Sequence, residues 1–130
     1  MALVVQKYGG SSVADIEKIE NVARRVIKEK EAGNEVVVVL SAMAGETDRL
    51  TRLACSASAE PEGREYDALV STGEQVTVAL LAIVLNRMGY KARSSLASQV
   101  KIISDQAHKK ARILMVETKA IKNELSKGTI

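Results

Sequence analysis

Phenylalanine and tryptophan are absent from this sequence, and three tyrosines are its only aromatic residues. The core must therefore be aliphatic, built from Val, Ile, Leu, Ala and Met. Few rings remain for stacking on bases, which argues against a single-strand nucleic-acid binder. The 19 Lys and Arg are interspersed with 16 Asp and Glu, so the net charge of +3 is a mild bias and not a nucleic-acid footprint. A single cysteine, Cys55, excludes an intrachain disulfide and fits a reducing cytosol. It has no histidine near it in sequence, and reads as buried filler. The single histidine, His108, has no second histidine or cysteine pair with which to bind zinc. It reads as exposed and idle, and Lys109, Lys110 and Arg112 beside it as solvated surface. Met1 leads into a short strand, not a signal peptide. The longest apolar run, Val76 to Leu85, is interrupted by Thr77 and too short to span a bilayer. The expectation is a cytoplasmic protein with no nucleic-acid and no membrane partner.

The 130 residues, 46% hydrophobic and 27% charged, suffice for one domain with a real core. Ala2 to Lys7 reads as a strand covered on both faces. Ser12 and Asp15 resemble a capping box opening a helix. Val13, Ile16, Ile19, Val22, Ala23, Val26 and Ile27 then recur at helical spacing, and Gly33 is the stop. Glu35 to Leu40 is a second buried strand. Strand, long helix and strand predict a βαβ unit with a parallel sheet. Thr47 or Asp48 is expected to cap a helix running to about Ser58. Arg64 to Val70 is a short helix, broken at Ser71-Thr72-Gly73. Glu74 to Met88 is a helix apolar nearly all round, hence buried. Lys91 to Ser94, Val100 to Ile103 and Ala111 to Val116 are strand candidates. Glu117 to Lys127 is an amphipathic helix closed by Gly128. Thr129-Ile130 reads as the start of a further strand, which predicts that the chain is part of a longer protein.

Ligands of open parallel sheets bind beyond the carboxyl ends of the strands. Three loops are candidates. Lys7, Gly9, Gly10 and Ser11 form a strand-to-helix turn whose backbone N–H groups suit a phosphate, with Lys7 adding a mobile positive charge. Two glycines after a strand also make a plain tight turn, and the pattern is neither of the two common glycine-rich phosphate motifs. Ser41 to Asp48 is a loop of small residues after the second strand. Ser41 also serves simply to end that strand, and Thr47 to cap the next helix. Ser71-Thr72-Gly73-Glu74 supplies hydroxyls, an open backbone and one carboxylate, and Ser71 with Glu74 also matches a capping box.

Taken together these segments resemble the aspartokinases. Lys7-Tyr8-Gly9-Gly10-Ser11-Ser12-Val13 is similar to the K-[FY]-G-G-[ST]-S-V signature that opens that family. Val36 to Asp48 resembles its second strand and S-A-M-x-x-x-T-[DN] loop. Ser71 to Gln75 resembles its S-T-G-E segment, and Ala111-Arg112-Ile113-Leu114 also has a counterpart. Order and spacing agree along the whole chain.

The resemblance implies an amino-acid-kinase (carbamate-kinase-like) fold, an α/β αβα sandwich around a mostly parallel sheet, here incomplete. Residues 1–130 would be the N-terminal, substrate-side portion, without the nucleotide-side half or the ACT regulatory domains. It implies transfer of the γ-phosphoryl group of ATP to the side-chain carboxylate of L-aspartate, as in the lysine, threonine and methionine pathways. Lys7 would act catalytically. Lys7, Gly9, Gly10 and Ser11 would hold the phosphate, and Ser41, Thr47 and Glu74 the substrate, with Glu74 on its ammonium group. ATP and Mg2+ would be the cofactors, with no metal ligand in this portion, and the whole protein would be a homo-oligomer. Two other readings stand beside this one: another amino-acid kinase, or a non-catalytic domain with a phosphate-like loop.

Overall fold

The computed structural model describes residues 1–130. Six residues, Leu3–Tyr8, form β1, and Glu35–Leu40 form β2. They pair in parallel with Val4 beside Val36 and Lys7 beside Val39. Between them runs α1, Ile16–Glu31. Its apolar stripe at three- and four-residue spacing, Ile19, Val22, Ala23 and Val26, is fully buried. Gly33 ends the helix at φ +84°, a left-handed conformation that costs glycine nothing. The β2 bounds and the parallel pairing are those the sequence predicts.

Three further helices and a hairpin follow. They are α2, Glu46–Ala57; α3, Gly63–Val70; and α4, Thr72–Arg87. Then come β3, Ile102–Ser104, β4, Ile113–Val116, and α5, Lys119–Ser126. β3 and β4 form a separate antiparallel pair. The core joins Val13, the α1 stripe, Val36 and Leu40 of β2, and Leu81, Val84 and Leu85 of α4. It is wholly aliphatic, with Tyr8 packed at its margin. A cavity of about 180 Å³ lies between β2, α4 and α5, bordered by Thr129, whose buried hydroxyl has no hydrogen-bond partner. Ile130 sits beside Ala92: its N–H donates to Lys91 O, and Arg93 N–H donates back to Ile130 O. The two bonds have the pattern of one parallel bridge, but neither Lys91 to Ser94 nor Thr129-Ile130 forms the strand the sequence predicts.

Several expectations are corrected. β1 is not covered on both faces. Val4, Gln6 and Tyr8 are half-buried toward α1, whereas Leu3, Val5 and Lys7 alternate onto an open face. None of these 130 residues packs a helix there. Ser12 and Asp15 do not form a capping box. A 3-10 turn, Gly10–Val13, comes first, and Asp15 is itself the N-cap of α1, its carboxylate accepting from Lys18 N–H at 2.8 Å. α2 is capped by neither Thr47 nor Asp48 but begins after Gly45, which is left-handed at φ +78°. The break expected at Ser71-Thr72-Gly73 narrows to Ser71 alone, a turn residue with helical dihedrals between α3 and α4, while Thr72 and Gly73 already belong to α4. The helical stretch Gly63–Arg87 reaches 25 residues, long and apolar enough to cross a membrane by length and composition alone. Its Thr77, Leu81, Val84 and Leu85 are buried within the fold, but Val76 and Ile83 are exposed, so the helix expected to be buried all round is buried along one side only. Cys55 is exposed on the outer face of α2, while Leu50 and Ala54 face inward.

Candidate functional site

β1 and β2 deliver their following loops to the same end of the sheet, because parallel strands end together. The Ser41 N–H still donates to Tyr8 O at 3.1 Å, so the two loops separate only after that bond. Lys7 lies on the open face of β1, exposed and without an ion-pair partner in the chain. Gly9 is extended and leads into the 3-10 turn, where Ser12 N–H bonds back to Gly9 O. Ser11 is exposed within that turn. The first N–H groups of such a turn have no partner inside it.

Gly10 explains why the motif requires a residue without a side chain. A Cβ there would lie 2.9 Å from Ala42 O and 3.5 Å from Ala44 N, both backbone atoms of the second loop. The third loop reaches the same point from the other side. A Cβ at Gly73 would lie 3.0 Å from Ala42 Cβ and 3.4 Å from Leu50 Cδ1. Ala42, itself buried, is therefore the meeting point of all three loops.

Around it, Ser41 is half-buried and Thr47 is exposed in the first turn of α2. Glu74 is half-buried in the first turn of α4 and has no cationic partner in the chain. It does not reach back to cap Ser71. The hydroxyls of Ser71 and Thr72 turn the other way, donating to Ala68 O at 3.0 Å and Leu69 O at 2.7 Å. That gives the last α3 carbonyls donors at the Ser71 turn. Thr77, fully buried, donates to Gly73 O at 3.2 Å and fixes the first turn of α4.

Glu46 joins these residues, although little in the sequence marks it. It is half-buried at the start of α2, and a Cβ at Gly73 would lie 3.6 Å from its Cγ. Arg49 donates to both its oxygens, at 2.9 and 2.7 Å. Those hydrogen bonds hold its carboxyl below the usual carboxylate range, with partial desolvation opposing. Arg49 three residues on was the only sequence signal. Glu46 is thus compensated internally while Glu74 is not. No group of three or more His, Cys, Asp or Glu is gathered anywhere in the chain to hold a metal ion. The residues present do not build a Mg2+ site by themselves.

His108 is exposed but not idle. Its Nδ1 lies 3.1 Å from Asp67 Oδ2, and Lys109 Nζ donates to Pro61 O at 3.2 Å. Neither was expected from sequence.

Glycine loops gathered at the carboxyl end of a parallel α/β sheet define a class of phosphate- and nucleotide-handling proteins. Within it, the chain belongs to the amino acid kinase family, whose model matches residues 2–130. An aspartate kinase of Pseudomonas fluorescens is 53% identical over 132 residues, covering 100% of this chain and 32% of that protein. Aspartokinase 2 of Bacillus subtilis is 47% identical, with the same coverage of 100% and 32%. Among solved structures, the aspartate kinase of Synechocystis is 38% identical with TM-score 0.81, covering 98% of this chain and 21% of that one. Aspartokinase III of E. coli, in complex with lysine and aspartate, is 21% identical with TM-score 0.82 over 98% of this chain and 39% of its own, a likeness of fold. The chain thus spans about a third of the length of the curated relatives it matches.

Proposed function

We propose that this chain carries the acceptor side of an aspartate kinase site. A carboxylate oxygen of L-aspartate attacks the γ-phosphorus of ATP, the bond from that phosphorus to the ADP oxygen breaks, and 4-phospho-L-aspartate and ADP leave. Such transfer depends on positioning and on neutralising charge, and needs no protein nucleophile. Lys7 neutralises charge on the transferring phosphoryl group. Gly9, Gly10 and Ser11 bring backbone N–H groups to it. Ser41 and Thr47 line the acceptor pocket, and Glu74 pairs with the substrate ammonium.

One observation carries this reading. Gly10, just after the strand that carries Lys7, and Gly73, next to Glu74, both pack on Ala42, and both of those charges lack a partner in the chain. A ligand with an anionic and a cationic end supplies both partners, and an amino acid at a phosphoryl group is such a ligand. The identity of 53% to an aspartate kinase favours aspartate over the acceptors of other amino-acid kinases. The Mg2+ that accompanies ATP finds its ligands elsewhere in the whole protein, and no step is routed through it here. We also infer a homo-oligomer, on the strength of the exposed apolar residues Ile113 to Val116, and a cytoplasmic location, on the strength of one free, exposed cysteine. ADP release by the full-length protein, measured against a panel of amino acids, tests the reading. Turnover requiring aspartate is expected. Turnover with another carboxylate or carbamate acceptor and none with aspartate replaces it with a different amino-acid kinase.

A further inference from the structure

The turn between β3 and β4 folds back onto the start of α3. Asp105 shapes that turn, its Oδ1 accepting from Ala107 N–H at 3.1 Å and Arg112 N–H at 3.2 Å. At the tip Lys109 is left-handed, φ +65°, a conformation a lysine keeps only where surrounding contacts over-determine it. Those contacts are with α3. Asp67 accepts from Lys109 N–H through both oxygens, at 3.2 and 3.0 Å, and from His108 Nδ1 at 3.1 Å. Gly63 leaves room for the imidazole, since a Cβ there would lie 3.1 Å from His108 Cβ. The Lys109 ammonium sits 5.0 Å from the centre of the Tyr66 ring, and the Tyr66 hydroxyl is 3.0 Å from Thr51 Oγ1 on α2. One connected set of contacts thus joins the hairpin tip to α3 and α2.

Both helices lead into the candidate site. α2 starts with Glu46 and Thr47. α3 joins α4 through the single turn residue Ser71, whose N–H donates to Asp67 O at 3.0 Å. The Ser71 and Thr72 hydroxyls also tie the start of α4 to Ala68 O and Leu69 O of α3. Holding α3 in place at Asp67 therefore bears on the placement of Glu74 in the first turn of α4.

We propose that Asp67 is a positioning residue for Glu74, clamped by His108 and the Lys109 backbone at the hairpin tip. The proposal rests on the reading of Glu74 as the residue that meets the substrate ammonium. Two measurements on the full-length protein test it together. His108→Leu and Asp67→Ala are expected to raise the aspartate KM by about two- to fivefold, the span of an exposed charged pair, with kcat and the ATP KM unchanged. His108→Asn, whose amide nitrogen sits close to the position of Nδ1, restores the aspartate KM. In parallel, hydrogen exchange of the peptide spanning residues 68–76 is faster in His108→Leu than in wild type or His108→Asn. Exchange and aspartate KM both at wild-type values in His108→Leu overturn the clamp, as does an equal rise in the KM for aspartate and ATP. If the protein phosphorylates no aspartate, the exchange experiment still decides the clamp while the proposed function fails separately.

Discussion

Gly73 and Ala42 approach so closely that a Cβ at position 73 would stand 3.0 Å from the Ala42 methyl. Gly10 approaches Ala42 from the other loop, with its would-be Cβ 2.9 Å from the Ala42 carbonyl oxygen. The two glycines act as spacers that let three loops share one point. Their role is steric: neither has a positive φ.

Alanine at these positions therefore strains the loop cluster. Gly10→Ala meets backbone, which cannot rotate away, and is expected to cost about 1–3 kcal/mol, the usual range for overpacking. Gly73→Ala meets a methyl and a leucine terminus and is expected to cost less. Gly9→Ala, where a Cβ meets nothing within 4 Å, serves as the control. Denaturant melts of the three variants check the order, and a Gly10→Ala no less stable than Gly9→Ala contradicts it.

Lys7 is expected to act on the transition state. Lys7→Ala in the full-length protein should lower kcat far more than it weakens aspartate binding, because charge on the transferring group is what it meets. Its exposure and lack of an internal partner mean that folding should be little affected. Steady-state kinetics with an unchanged kcat would remove Lys7 from the mechanism.

Glu74 has two roles that can be separated. If it pairs with the substrate ammonium, Glu74→Gln raises the aspartate KM more than the ATP KM. The capping role that the sequence also allows predicts a stability loss instead. Because the Ser71 N–H that a capping carboxylate would accept from already donates to Asp67 O, the kinetic outcome is expected. Thermal melts and kinetics on the one variant distinguish them.

Much of this architecture was legible because each signal was local. The valine run of β2 and the stripe of α1 follow from side-chain period alone, and the parallel pairing follows from their order. The misses were places where two local choices compete. Ser71 and Thr72 have hydroxyls that either cap a new helix or bond back to the turn before. They bond back, so the expected break shrinks to the single turn residue Ser71. Asp15 fits two positions of a cap, and the 3-10 turn ahead of it decides which. His108 and Asp67 stand 41 residues apart, beyond any periodicity, so their contact left no trace in the pattern. The site loops were recognisable, but their convergence on Ala42 was not, since it depends on the depth of two glycines in the packed fold.

Stability should carry a pH signature from Glu62. Its carboxylate accepts from Arg64 N–H at 3.1 Å and Glu65 N–H at 3.0 Å at the start of α3. Those bonds hold its pKa below the ordinary value, slight desolvation opposing. A depressed carboxyl stabilises the fold fully above its unfolded pKa, about 4.3, and that contribution fades as pH falls through the lower folded value. Glu62→Gln should thus melt earlier than wild type at pH 7, with the difference shrinking toward pH 3. A difference that does not change with pH assigns the cap to neutral hydrogen bonding alone.

A polypeptide of residues 1–130 alone is expected to turn over no aspartate. Lys7, Ser41, Thr47 and Glu74 give the acceptor side, but no cluster here holds a metal ion, and the chain spans 32% of an aspartate kinase 53% identical to it. Phosphoryl transfer needs nucleotide, metal and acceptor held together, and part of a site does not supply that positioning. The same polypeptide should self-associate. Ile113, Leu114, Met115 and Val116 are 67%, 68%, 50% and 44% exposed along one strand, and β4 has a free edge. An exposed apolar strand with unpaired backbone groups is a template for another chain. Light scattering should find species larger than the 14.0 kDa monomer. Replacing Leu114 with Lys puts charge in the middle of that edge and should restore the monomer. Clear ADP release requiring aspartate would mean that these residues hold nucleotide after all, and a compact monomer without the substitution would mean that the strand edge is protected in solution.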